Sequence, residues 1–143
     1  MLSYRHAFHA GNHADVLKHI VWIEILRYLG KKDKAFYIHD THAGAGAYVI
    51  DSDMMQKKQE YLSGIAALYD YAGPCEEIKR YVELIRRFNA PEALSTYPGS
   101  PLISKAMLRE QDRMCVTDLH GTDIPLLKQA LGRDRRIKVK KMD

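Results

Sequence analysis

The sequence predicts an α/β fold: a parallel sheet with a helical subdomain inserted into it. Three observations predict this. Three short apolar runs, Ala35–His39, Met114–Thr117 and Arg136–Lys140, alternate with stretches of helical periodicity, which is the pattern of a parallel sheet with crossover helices. The first run ends in Asp40 and is followed by Gly44 and Gly46 in a loop of small residues, where the backbone can turn tightly and approach a ligand. The stretch between the first two runs is too long for one crossover and carries two helical apolar faces. This stretch, residues 50–98, is read as the insertion.

Each element has its own signal. Met1 to Gly11 has little periodicity but crowds Tyr4, Arg5, His6, Phe8 and His9 together. Asn12 suits a helix cap, Asp15 favours the positive end of that helix, and Val16, Ile20 and Ile23 follow at helical spacing up to Gly30. Lys18 and His19 ride on it. Ala35–His39, between the charged turn Lys31–Lys34 and the glycine loop, reads as a fully buried parallel strand. Met54, Met55, Tyr61, Leu62, Ile65, Leu68 and Tyr69 form one apolar helical face ended by Gly73-Pro74; Ile78, Tyr81, Val82, Ile85 and Phe88 form a second, ended before Pro91. Ser100 is a natural cap and Pro101 a natural first residue for a helix reaching about Arg109. A strand over 113–117 leads to Asp118. A helix then begins at Thr122 or Asp123 and ends at Gly132, and the third strand runs over 136–140.

Composition narrows the class. The chain has 143 residues, 46% hydrophobic and 28% charged, enough for a core and ordinary for a globular protein. No apolar run reaches membrane-spanning length, and the N-terminus carries Arg and His rather than a signal-peptide core. Cys75 and Cys115 stand alone, which argues against a disulfide framework or a Cys-x-x-Cys metal site and makes a reducing cytoplasm the expected location. The net charge of +4 mildly favours a polyanionic partner. The strand-end acids are Asp40, Asp118 and, near the last strand, Asp143. In a doubly wound sheet the strand C-termini line one crevice, where a carboxylate can accept hydrogen bonds from ribose hydroxyls or an adenine amino group.

The residues carry a resemblance. Met1 to His19, Asp40-Thr-His-Ala-Gly-Ala-Gly46, Tyr97-Pro-Gly-Ser-Pro-Leu102 and Leu108-Arg-Glu-Gln-Asp112 resemble the signatures of RlmJ-type bacterial 23S ribosomal RNA adenine-N6 methyltransferases. The resemblance spans the whole chain. It implies a Rossmann-like methyltransferase sheet (31–49 and 99–143), an inserted helical subdomain (50–98), and an N-terminal lid tail and helix (1–30). It also implies S-adenosyl-L-methionine as methyl donor and protein-free 23S ribosomal RNA as partner. Donor contacts carried over fall on His19, His42, Gly44, Gly46, Ser100, Asp118 and Asp143; Asp118 stands where many relatives have Glu. Tyr4, His6 and Lys18 are candidates for positioning the target adenosine. The Asp-Pro-Pro-Tyr motif of such enzymes is absent from these residues. The expectation is therefore an N-terminal part of an enzyme, truncated after its third strand, with no catalytic acid of its own. Alone it would be inactive and prone to self-association through the first strand's open edge, whereas the full-length protein is expected to be monomeric.

Other readings stand beside this one. His6, His9, His13 and His19 crowd the N-terminus as zinc ligands can, but no Cys or HExxH accompanies them, so no metal is expected. Lys57-Lys58, Arg86-Arg87, Arg133, Arg135-Arg136 and Lys140-Lys141 could meet phosphates in a non-catalytic nucleic-acid-binding module. The resemblance also brings a link with use of extracellular DNA as a nutrient, for which no residue offers nuclease or uptake chemistry.

Overall fold

The structure, a computed structural model, describes residues 5–142. A 3-10 turn, His6–Phe8, precedes α1 (His13–Leu29) and β1 (Tyr37–Asp40). The chain continues through β2 (Ala47–Val49), α2 (Asp53–Lys58), a 3-10 turn Glu60–Ser63, α3 (Ile65–Leu68), α4 (Glu76–Arg86) and β3 (Thr96–Pro98). It closes with α5 (Ser100–Met107), β4 (Arg113–Asp118), α6 (Asp123–Leu131) and β5 (Ile137–Lys141). β1, β4 and β5 form a sheet in that order, with both pairings parallel, Ile38 beside Met114 and Val116 beside Val139. β2 and β3 pair antiparallel as a separate ribbon.

Packing explains this arrangement. Ile38, Met114, Val116, Ile137 and Val139 share one face of the sheet and pack on Leu26 of α1, Leu102 of α5, and Leu127 and Leu131 of α6. The alternate residues Tyr37, His39, Lys138 and Lys140 of the outer strands point to the opposite face and are exposed, whereas Cys115 and Thr117 of central β4 on that face are buried. β1 is therefore half-buried, with Tyr37 at 64% exposure, and not the fully buried strand its apolar run suggests. The reason is that the helices among the described residues cover only one face of the sheet. A second core lies between α1, the insertion and the β2–β3 ribbon, around Ile65, Tyr81, Ile85, Tyr97 and Ile103. Trp22, Phe88 and Met107 touch both cores.

Caps decide several boundaries. The Asn12 side chain accepts the Asp15 N–H at the start of α1, as its sequence predicts. α1 is apolar on more than one side: Val16, Ile23 and Leu26 are buried, whereas Leu17, Val21, Ile25, Tyr28 and Leu29 are exposed. α5 differs from expectation. Its cap position is Gly99, Ser100 is already helical, and the helix ends at Met107. The Ser100 hydroxyl turns away from capping and donates to Asp40 Oδ2 at 2.6 Å.

The first helical face of the insertion is not one helix. Gln59 at φ 51° and Gly64 at φ −111°, ψ −112° break it into α2, the 3-10 turn and α3. The cause is a crossing of chains. Gly11, at φ +74°, lies against Ile65, and the Ile65 N–H donates to the Gly11 carbonyl at 2.9 Å. A Cβ on Gly64 would sit only 2.0 Å from that carbonyl oxygen. Gly64→Ala should therefore destabilise the protein by about 2 kcal/mol or more, through a clash with backbone that cannot move aside. Gly121→Ala, whose Cβ would meet only the Lys141 side chain at 3.9 Å, should leave stability within about 0.5 kcal/mol. Urea unfolding of the two variants checks this.

Candidate functional site

Parallel pairing of β1 and β4 brings Asp40 and Asp118 to the same edge of the sheet. The loop after β1 folds across that edge. The Ala43 N–H donates to the Thr117 carbonyl at 3.0 Å, and the Gly44 N–H donates to Asp118 Oδ2 at 2.7 Å. The other oxygen of Asp118 accepts the His120 N–H at 2.8 Å. Asp40 accepts the His42 N–H at 3.1 Å on Oδ1 and the Ser100 hydroxyl on Oδ2. Each strand-end acid thus organises the loop that follows it and ties it to a second segment.

The two glycines of the loop serve different ends. Gly44 is at φ +60°, and a Cβ there would fall 2.2 Å from the Tyr48 hydroxyl. That hydroxyl accepts the Ala45 N–H at 3.3 Å. Gly46, at φ +81°, lies against Leu127 and Ala130 of α6. Gly44 borders the cavity, while Gly46 fits the loop onto the helix.

Above this edge is a cavity of about 540 Å³, lined by His6, Lys18, His19, His42, Gly44, Ser100 and Asp118 together with Tyr48, His120 and Asp123. Its size is that of a small-molecule site. Of the residues singled out in the sequence, these first seven converge there. Gly46 does not reach it, and Asp40 borders a smaller adjoining hollow beside Trp22 and His42. Tyr4 and Asp143 lie outside the described residues.

The N-terminal segment closes one side. The Arg5 guanidinium donates to the Thr122 hydroxyl at 2.8 Å and meets Asp123 Oδ1 at 3.2 Å. His6 Nε2 lies 2.8 Å from Asp15 Oδ2. His9 Nδ1 and Asn12 Nδ2 both meet Glu60 Oε2, at 2.9 and 3.0 Å. The segment thus bridges α6, α1 and the insertion. The four N-terminal histidines diverge: His6 goes to Asp15, His9 to Glu60 and His19 to Tyr97, while His13 is exposed. Among the described residues no three His, Cys, Asp or Glu side chains converge as a metal requires.

Asp15 is the residue whose role the sequence hid. It reads there as a helix-end acid, yet it is 1% exposed. Its Oδ2 also accepts the Gly11 N–H at 3.0 Å, and its Oδ1 pairs with Lys18 Nζ at 2.8 Å. Burial opposes its ionisation, but His6, His19 and Lys18 outweigh burial and hold the carboxyl well below the usual carboxylate range. His19 is in the opposite position. Burial pushes it down to about 4, although Asp15 pulls the other way. Its Nδ1 is 2.7 Å from the Tyr97 hydroxyl, which meets the Tyr81 hydroxyl at 3.0 Å. Burial raises both phenols well above their ordinary value.

The basic pairs divide. Arg86 donates to the Tyr69 carbonyl and meets Asp70, Arg135 pairs with Glu110, and Arg136 holds Asp134 and the Leu108 carbonyl. Lys57, Lys58, Lys140 and Lys141 are exposed.

The fold and cavity together define an α/β protein with a cleft of small-molecule size at the C-terminal end of a parallel sheet. Comparison with known proteins narrows this class. The family model "Ribosomal RNA large subunit methyltransferase D, RlmJ" matches residues 33–143. The chain belongs to this RlmJ family. It is 48% identical over 143 residues to the Escherichia coli (strain K12) ribosomal RNA large subunit methyltransferase J, covering 100% of this chain and 51% of that protein. It is 48% identical over 141 residues to the Haemophilus influenzae protein of the same name, covering 98% of this chain and 50% of that one. The chain therefore spans about half the length of the curated relatives it matches. A crystal structure from Legionella pneumophila, described under the family model DUF519, superposes with a TM-score of 0.81 at 34% identity, covering 92% of this chain and 48% of that one.

Burial of neutral His19 makes stability depend on pH. The unfolded chain binds a proton on this residue near 6.5, and the folded chain only near 4. Across that interval the unfolded state holds more protons, so stability is full above 6.5 and falls as the pH drops toward 4. Asp15 contributes with its own window, below the ordinary carboxylate value of 3.8. Urea unfolding between pH 4 and 7 should show the loss, and His19→Gln should flatten the slope in that interval.

Proposed function

We propose that this chain supplies the methyl-donor site of an S-adenosyl-L-methionine-dependent enzyme that methylates the N6 amino group of an adenine in 23S ribosomal RNA. The observation that carries this reading is the cavity at the shared end of β1 and β4, with Gly44 and Asp118 joined on its wall. The relatives, both named as ribosomal RNA methyltransferases, support it. So does the order β1-β4-β5, which fits a Rossmann-like sheet with strand C-termini lining one crevice.

The cavity fits the donor chemically. Its volume suits a nucleoside with an amino-acid tail, Gly44 lines the wall with no side chain of its own, and the Asp118 carboxylate keeps acceptor capacity beyond its two N–H partners. Asp118 would hold the ribose hydroxyls, and Asp143 would lie by the adenine. His19, His42 and Ser100 would complete the donor wall beside the Gly44–Gly46 turn. When bound, the donor supplies an electrophilic methyl group on a sulfonium. The chain's own residues position and exclude water. His6 and Lys18, with Tyr4, would place the acceptor adenosine, which is turned out of its helix, under the N-terminal segment as a lid. The division into 1–30 as lid tail and helix, 31–49 with 99–143 as sheet domain, and 50–98 as helical insertion is part of this reading.

An adenine amino group is a weak nucleophile because its lone pair is conjugated into the ring, so its protons need an acceptor. The Asp-Pro-Pro-Tyr motif that would provide one does not occur in these residues. The 143-residue chain by itself is accordingly expected to bind the donor, to self-associate and to leave adenosine unmethylated. The full-length protein would act as a cytoplasmic monomer on protein-free 23S RNA.

Asp118→Ala in the full-length protein should weaken S-adenosylhomocysteine binding by on the order of 1.5–3 kcal/mol, the worth of a hydrogen bond to a charged group. Unchanged affinity by calorimetry, with the fold intact, contradicts the assignment. Incubating the 143-residue chain and the full-length protein with labelled donor and protein-free 23S RNA should give N6-methyladenine with the long form alone. Equal turnover by the short form would place the proton acceptor within these residues.

A further inference from the structure

We infer that Asp15 is the positioning residue of the N-terminal segment, a single buried carboxylate that sets His6 and Lys18 over the cleft. The inference rests on the proposed function and deepens it, since neither side chain is placed by its own backbone alone. Two donors converge on one oxygen of Asp15, the His6 ring and the Gly11 N–H, and the Lys18 ammonium forms an ion pair with the other at 2.8 Å. An acid near a helix start usually serves the helix dipole at the surface. Asp15 is instead 1% exposed, while Lys18 remains 62% exposed at its side chain and reaches into the cavity.

Chemistry gives the arrangement direction. An ionised carboxylate only accepts, so the His6 nitrogen that faces it, Nε2, carries hydrogen. This sets the tautomer and the plane of the ring. The ring then meets Tyr48 edge-on, with centroids 5.4 Å apart at 65°. The Tyr48 hydroxyl in turn holds the Ala45 N–H of the glycine loop. An unbroken series of contacts therefore runs from Asp15 through His6 and Tyr48 to the loop that borders the cavity. The Gly11 bond fixes the other end of the segment where it crosses Gly64. The ionisable groups facing Asp15 are His6, Lys18 and His19.

The test uses Asp15→Asn in the full-length protein. The amide keeps the shape but turns an N–H₂ toward one set of donors. Turnover on protein-free 23S RNA should fall roughly 100-fold, as expected when reacting groups lose their register, while S-adenosylhomocysteine affinity stays within about threefold. His6→Ala added to Asp15→Asn should cost little more than Asp15→Asn alone, because both act through one contact. Full turnover by Asp15→Asn, or penalties of the two changes that simply add, would overturn the inference. Two readouts do not need turnover and so separate it from the proposed function. Gly11 amide hydrogen exchange should accelerate in Asp15→Asn while that of Val116 in the sheet does not; equal protection of Gly11 in both proteins overturns the inference. Nitrogen NMR of the unsubstituted protein should show hydrogen on Nε2 of His6, even if the variant fails to fold; a bare Nε2 at neutral pH also overturns it.

Discussion

The hydrogen bond from the Gly44 N–H to Asp118 Oδ2, 2.7 Å long, is the contact on which the site depends. It joins the loop after β1 to the end of β4, two segments that only the parallel sheet brings together. With that bond in place, Gly44 takes its left-handed conformation, the Tyr48 hydroxyl reaches under the loop, and the cavity acquires a floor. The acid does two tasks at once. It shapes the backbone through two N–H bonds and lines the cavity. Asp40 works in parallel, tying its loop to the first residue of α5 through Ser100.

A second organising group lies in the N-terminal segment. Arg5 bonds the start of α6, His6 bonds α1, and His9 and Asn12 both bond Glu60 of the turn before α3, so this stretch belongs to the fold rather than to a frayed end. The charges are arranged so that a cationic or imidazole group of the segment always meets a carboxylate rooted in a helix or the insertion. Such a segment loses conformational entropy on folding, and Asp123, Asp15 and Glu60 supply the compensating interactions at three points along it.

Much of the fold was legible because its signals are local. The Ala35–His39 and Met114–Thr117 runs, the Asn12 cap and the Gly132 stop each lie within a few residues of the structure they specify. What the sequence concealed is set by distant partners. Gly64 breaks a helical face because Gly11 crosses there. Ser100 abandons capping because Asp40 is within reach. β2 and β3 are three residues each and have no period to read; their pairing exists only when the insertion folds back on itself. The exposure of Tyr37 and His39 depends on which sheet face the helices cover, which no single strand reveals. Part of the candidate site was legible in its residue types, since His19, His42, Gly44, Ser100 and Asp118 line one cavity, whereas Gly46 does not. The burial of Asp15 was not, because a helix-end acid looks the same in sequence whether it faces solvent or meets His6, Lys18 and the Gly11 N–H.

The β2–β3 ribbon has a consequence for the loop between β1 and β4. Its pairing, extended by bonds from Ile50 to Ser95 and from Gly99 to Gly46, makes the insertion leave and rejoin the sheet domain at one point. Seen from β1 and α5, the intervening residues are a closed excursion rather than a long tether. Doubling such a loop adds only about 0.6 kcal/mol of closure entropy. A change of length at an exposed turn of this excursion is therefore expected to cost little closure entropy while leaving the glycine loop in place. By the same count, pairing of β2 with β3 shortens the effective loop between β1 and β4 and so lowers the entropy cost of closing the sheet.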